Sequence, residues 1–264
     1  MSKINHPFSF QQGDSPVLVS MPHSGLELLA HMKNDLSEAA KSLPDTDWYI
    51  PELYDFLAEL DVSVISANYS RYVVDLNRPV DDKPLYSTKT TGLFPDILFA
   101  DEPVFQQGKH HSEALKDIWQ TYHDKIRSEL MRIKAKFGYA ILFDAHSIAA
   151  EVPMLFEGSL PDFNFGNNDG ASCEPRLLAS LDEIIASTQY SHVCNGRFKG
   201  GYITRSFGQP EQGIHAIQLE LSQATYLDDV LFKEGIYQLD EEKKKKVSPQ
   251  LKHLIEALIA VGQP

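Results

Sequence analysis

The chain has 264 residues, 42% of them hydrophobic, and a net charge of -13. That composition fits one soluble α/β domain spanning 1–264 with a well-buried core, and its acidity argues against a nucleic-acid surface. The two cysteines form no CxxC pair, no apolar run is long enough to span a membrane, and the first residues lack a signal-peptide core, so the cytoplasm is the expected setting.

Residues 1–15 read as an edge strand or arm. Residues 16–22 form an apolar run closed by Pro22, and His23-Ser24-Gly25 follows at once, a histidine at a strand end with a glycine that lets the backbone turn. Residues 26–43 read as a loop with a short helix. A helix is predicted over 44–57, with Asp45 or Thr46 as its N-cap, Pro51 in its first turns and Trp48, Leu53, Phe56 and Leu57 as its apolar stripe. Asp47 then lies at or near the helix N-terminus, either capping it or serving as a ligand.

Residues 62–67 are a predicted strand, and 68–79 contain the next, with Val73, Val74 and Leu76 in its core. Arg71 lies at its start, and Asn77 and Arg78 at its end. A guanidinium forks onto a carboxylate through two parallel hydrogen bonds, so strand-end arginines suggest an anion pocket; the plainer alternative is a salt bridge to Asp75, Asp81 or Asp82. Residues 80–108 make a long Pro, Thr, Gly and Phe-rich segment of the kind that serves as a lid. One amphipathic helix is predicted over 110–136, with His110, His111 and His123 solvated or helix-packed.

Residues 139–147 join an apolar run to Asp144-Ala145-His146-Ser147. The run reads as a buried parallel strand, and in such sheets functional groups gather at the carboxyl ends. Residues two apart share a face, so Asp144 can support His146 as a metal ligand; a surface hydrogen bond is the plainer role for this histidine. A short strand is expected at 153–156, an irregular loop at 160–170 and a helix at 174–188. The Gly200-Gly201 pair permits tight backbone geometry but is no phosphate loop, and Arg205 beyond it is a further candidate anion binder. The last strong strand is 213–222. Glu220 lies within its apolar run, where burial raises a carboxyl pKa, and this makes it the general-base candidate, against a buried ion pair to an arginine. Residues 239–246 read as a solvated charge run, and 251–261 as an amphipathic helix.

Two strand-end histidines and a carboxylate, with an open position, are how a catalytic zinc is usually held. His23, Asp47, His146, Glu220 and the arginines supply ligands, a base and anchors for a small anionic substrate. The segments 22–25, 47–48, 74–79, 144–147, 200–205 and 218–222 resemble, in order, the motifs of the N-formylglutamate amidohydrolase family. That resemblance implies a mixed twisted sheet flanked by helices, similar to the zinc carboxypeptidases. It also implies hydrolysis of N-formyl-L-glutamate to formate and L-glutamate in histidine degradation, with a divalent metal, zinc first among them. In its terms His23, His146 and Asp47 are the ligands and Glu220 is the base. Asn77 with Arg78 holds a substrate carboxylate, and Arg71 either polarises the scissile carbonyl or holds a second carboxylate. Those peptidases place a Glu three residues after the first His; here Leu26 stands there, which leaves Glu27 and Glu52 as alternatives to Asp47. A deacylase of another N-acyl amino acid, such as N-succinylglutamate, and a non-catalytic carboxylate-binding protein are the competing readings.

Overall fold

The computed structural model describes residues 6–84 and 90–261. The strands are β1 Phe8–Gln11, β2 Val17–Met21, β3 Ser63–Ala67, β4 Ala140–Ile148, β5 Phe163–Gly166, β6 His192–Cys194 and β7 Ile214–Ser222. Among the described residues they form one mixed sheet of seven strands in the order β1-β3-β2-β4-β7-β5-β6. The centre, β3-β2-β4-β7, is parallel throughout; β1 joins β3, and β5 joins β7, in antiparallel fashion.

The helices α1 Ala30–Asp35, α2 Ile50–Leu53, α3 Lys116–Phe137, α4 Pro175–Ala186, α5 Tyr202–Phe207, α6 Asp229–Lys233 and α7 Glu241–Ala260 complete the domain. The side chains of β4 alternate between two apolar cores. Ile141, Phe143 and Ala145 enter the one built with α2, α4 and α7, and Ala140 and Leu142 the one built with α1 and α3. Helices cover the sheet on both faces, which is why its central strands read as unbroken apolar runs. Each fully buried Leu or Phe in such a layer contributes about 1.5–3 kcal/mol.

Several expectations change. Residues 68–79 form turns rather than a strand, because the backbone bonds locally, Val73 N to Ser70 O at 2.9 Å and Arg78 N to Asp75 O at 3.3 Å. Val73, Val74 and Leu76 are all buried, as in a strand, but in the core beneath α3. The segment 153–156 is likewise a turn, closed by Leu155 N and Phe156 N on Val152 O. The loop expected at 160–170 contains β5, where Phe163 and Phe165 are buried. The helix expected over 44–57 narrows to α2 and a 3-10 turn at Asp55–Ala58. Its N-cap is Tyr49 at φ 58, while the Asp45 carboxylate instead accepts from Phe99 N. The charge run at 239–246 opens α7, with Asp240 as N-cap. Of the lid segment, residues 85–89 lie outside the described residues. The part from 90 to 108 packs down through buried Leu93, Leu98, Val104 and Phe105.

Candidate metal and hydrolytic centre

The site lies where the parallel strands end. In the β4–β7 register His146 is paired with Glu220 and Asp144 with Gln218, so all four occupy one face of two adjacent strands. His23 follows β2 by two residues, and its carbonyl accepts from Asp47 N at 3.1 Å, which ties the two segments that carry ligand candidates together. Gly25 is required by close approach: a Cβ there would lie 2.3 Å from Tyr69 O. Gly201 presses against Asn77 in the same way, a Cβ falling 2.3 Å from Asn77 Nδ2.

One ligand atom each from His23, Asp47 and His146 lies within 4.8 Å of the others, and all three residues are buried. Asp47 Oδ2 is 3.1 Å from His146 Nδ1 and 3.8 Å from His23 Nδ1. The far ring nitrogens face carboxylates, His23 Nε2 donating to Asp75 Oδ1 at 2.8 Å and His146 Nε2 to Asp144 Oδ2 at 3.0 Å. That arrangement orients metal-binding imidazoles and fixes their tautomer. Glu27 and Glu52 are both exposed and stand outside this group.

The residues fit a cation. Asp47, Asp75 and Asp144 are buried around the two imidazoles, and Asp75 is faced by the guanidiniums of Arg71 and Arg78. Burial pushes the His146 pKa down, but Asp144 and Asp47 outweigh it and hold the ring well above its usual value. A proton there compensates the carboxylates in part, as a divalent ion would more fully. His23 moves the other way, lowered by burial and then by Arg71. Asp144 Oδ1 is buried and has no partner, a further acceptor in this negative cluster. Burial raises Glu220 to about 8, with His146 pulling down and Asp47 pushing up.

The arginines divide. Arg71 donates from Nη2 to Asp75 Oδ2 at 2.7 Å and lies over the Phe99 ring, its Cζ 4.8 Å from the centroid. This is the salt bridge to Asp75 that its spacing allowed, yet Arg71 also lines the cavity with His23, Asp47 and His146. Arg78 lines it too, held by Thr91 O and the hydroxyls of Thr90 and Thr91. Asn77 lines the cavity with its Oδ1 accepting from Ile203 N, while its Nδ2 lies 3.1 Å from His146 Nε2, the nitrogen that donates to Asp144. Arg205 does not line it: on α5, its Nε turns back to Gly200 O at 2.8 Å. The third guanidinium in the cavity wall is Arg197, which no motif in the sequence marks. Also unforeseen are Asp75 as the support of His23 and Gln218. Gln218 accepts from Gly201 N at 2.7 Å and donates to Glu220 Oε2 at 3.2 Å.

Helix α3 grips the segment that carries Asp75, Asn77 and Arg78. Trp119 Nε1 donates to Arg78 O and His123 Nε2 to Leu76 O, each at 2.8 Å, from positions one turn apart. The His123 ring stacks on Trp119 and Phe207. Burial lowers its pKa from 6.5 to about 4; the Leu76 carbonyl and Asp124 oppose the shift and Arg127 adds to it. Between these values the unfolded chain binds the proton and the folded one does not. The stability is therefore whole above pH 6.5 and drains as pH falls toward 4, by about 3 kcal/mol. Urea unfolding at pH 7 and 4.5 should show a smaller loss for His123→Gln than for the parent; equal losses would mean that this ring does not titrate on unfolding.

Residues 15–227 match the N-formylglutamate amidohydrolase family. The chain belongs to the N-formylglutamate amidohydrolase family. Two curated members, both N-formylglutamate deformylases, are 51% identical to it. That of Pseudomonas aeruginosa aligns over 261 residues, 97% of each chain, and that of Pseudomonas putida over 260 residues, 96% of each. The crystal structure of an N-formylglutamate amidohydrolase from Ralstonia eutropha has the same fold at 20% identity, with a TM-score of 0.81 over 96% of this chain and 98% of that one. Within this amidohydrolase fold, the family match reaches from just before β2 to just beyond β7 and so takes in every ligand candidate.

Proposed function

We propose that this protein hydrolyses N-formyl-L-glutamate to formate and L-glutamate, using a divalent cation held by His23, Asp47 and His146. The observation that carries the reading is the buried meeting of these three residues beside Glu220, the register partner of His146. Two 51%-identical relatives named N-formylglutamate deformylase support the substrate. A two-nitrogen, one-oxygen donor set makes zinc the first choice of metal.

A bound cation of this kind supplies electrophilic polarisation of the formyl carbonyl and lowers the pKa of water at the site. The chain's own groups do the rest. Glu220 accepts a proton from the attacking water as its oxygen bonds the formyl carbon, then delivers it to the departing nitrogen as the C–N bond breaks. Gln218 holds the Glu220 carboxylate in place. Arg71, kept rigid by Asp75 and Phe99, offsets the charge that develops on the formyl oxygen. Arg78, on the Asn77 side of the cavity, receives the α-carboxylate. The same reading places the protein in histidine degradation in the cytoplasm; among the described residues no helix is long and apolar enough to cross a membrane.

Formate release from N-formyl-L-glutamate, measured with and without a chelator, tests the proposal. Turnover should fall to background in chelator and return with zinc. Full turnover in chelator by metal-stripped protein would remove the metal. Ligand binding without formate release would favour a carboxylate-binding protein, and faster release from acetyl or succinyl substrates a different deacylase.

A further inference from the structure

The substrate of the proposed reaction carries two carboxylates, and the chain is strongly acidic overall. Binding a dianion in such a protein requires local cations for each charge. Among the described residues three guanidiniums line the cavity, and their settings differ. Arg71 is paired with Asp75, the carboxylate that also orients His23, so its charge is committed next to the ligand group. Arg78 Nη1 lies 4.0 Å from Asp75 Oδ2, whose other oxygen takes the His23 ring, and this puts it on the side of the scissile bond, where an α-carboxylate belongs.

Arg197 enters from a separate wall, the loop between β6 and α5. Its Nε donates to Leu155 O at 2.7 Å, which fixes the plane of the guanidinium, and its Cζ lies 5.5 Å from the Phe198 ring centroid. Leu155 and Phe198 line the cavity beside it. Two methylenes ending in a carboxylate need apolar contact along their length and a planar fork of donors at the tip. From this juxtaposition we infer that Arg197, flanked by Leu155 and Phe198, binds the side-chain carboxylate of the substrate and so selects glutamate. The inference rests on the proposed amidohydrolase reading and adds to it the residue that sets the side-chain preference.

The experiment compares kcat/KM for N-formyl-L-glutamate and the uncharged N-formyl-L-glutamine in the parent, Arg197→Gln, Arg197→Lys and Arg205→Gln, all metal-replete. In Arg197→Gln the glutamate substrate should lose about 100-fold, on the scale of an unpaired buried charge, while the glutamine substrate changes by less than about 3-fold on the same basis. The preference for glutamate should then collapse. Lys keeps the charge without the fork and should retain part of it, and Arg205→Gln should keep all of it. Equal losses on both substrates, an unchanged preference, or a collapse in Arg205→Gln instead would each overturn the assignment. A parent that releases formate from neither substrate would defeat the amidohydrolase reading itself, a result distinct from all of these.

Discussion

Glu220→Gln should lower kcat for formate release by about 10²–10⁴-fold, the usual worth of a positioned general base, with the metal content unchanged. The substitution is nearly isosteric, and the replacement can still pair with Gln218, which now contacts Glu220 Oε2 at 3.2 Å. What it cannot do is accept a proton. Burial raises the Glu220 carboxyl to about 8, and Asp47 and Asp144 push the same way while His146 and Arg71 pull it down. A cation at the neighbouring ligand group adds one more downward pull, bringing the carboxylate toward the neutral range in which a base is both ionised and effective. Because the base must be ionised, kcat/KM should fall on the acid side of that value, with an apparent pKa belonging to Glu220 and its coupled neighbours together. Near-normal turnover by metal-loaded Glu220→Gln would take this residue out of the mechanism.

How far the sequence foretold this site depended on whether a signal was local. Apolar runs ending in His or Glu marked β2, β4 and β7, because helices bury both faces of the sheet and leave no polar alternation. The same double burial misled at 68–79, where Val73, Val74 and Leu76 are buried by packing under α3 and not by strand pairing. The antiparallel strand β5 was hidden in an Asn- and Gly-rich stretch, since its partner β7 lies far along the chain. No spacing rule joins Asp47 to His146 across 99 residues; only the fold does. Asp75 was legible as an arginine partner but not as the support of His23, because one carboxylate serves both through its two oxygens. Arg197 and Arg205 flank the same glycine pair, and the chain alone does not say which side chain enters the cavity. The bond from Arg205 Nε to Gly200 O turns that guanidinium back toward the glycine loop.

His146→Ala should strip the protein of its metal, while Asp144→Asn should only weaken the hold. Removing the imbedded imidazole leaves His23 and Asp47 as a two-residue set, too few for a buried catalytic cation. It also leaves Asp47 without its 3.1 Å contact to His146 Nδ1. Asp144 touches the ring only from behind, through Nε2 at 3.0 Å. An asparagine can still accept that hydrogen bond but brings no charge to raise the basicity of the ring, and support of this kind is worth about 10–100-fold in metal affinity. The asparagine has a second cost, since its amide must place an NH2 where Asp144 Oδ1 is now buried without a partner. An unsatisfied donor there should lower stability by about 1–3 kcal/mol. Metal stoichiometry after dialysis, competition with a chelator and urea unfolding separate these effects. His146→Ala with full stoichiometry would remove the ring from the ligand set, and Asp144→Asn with parental affinity would show that its charge plays no part in holding the ion.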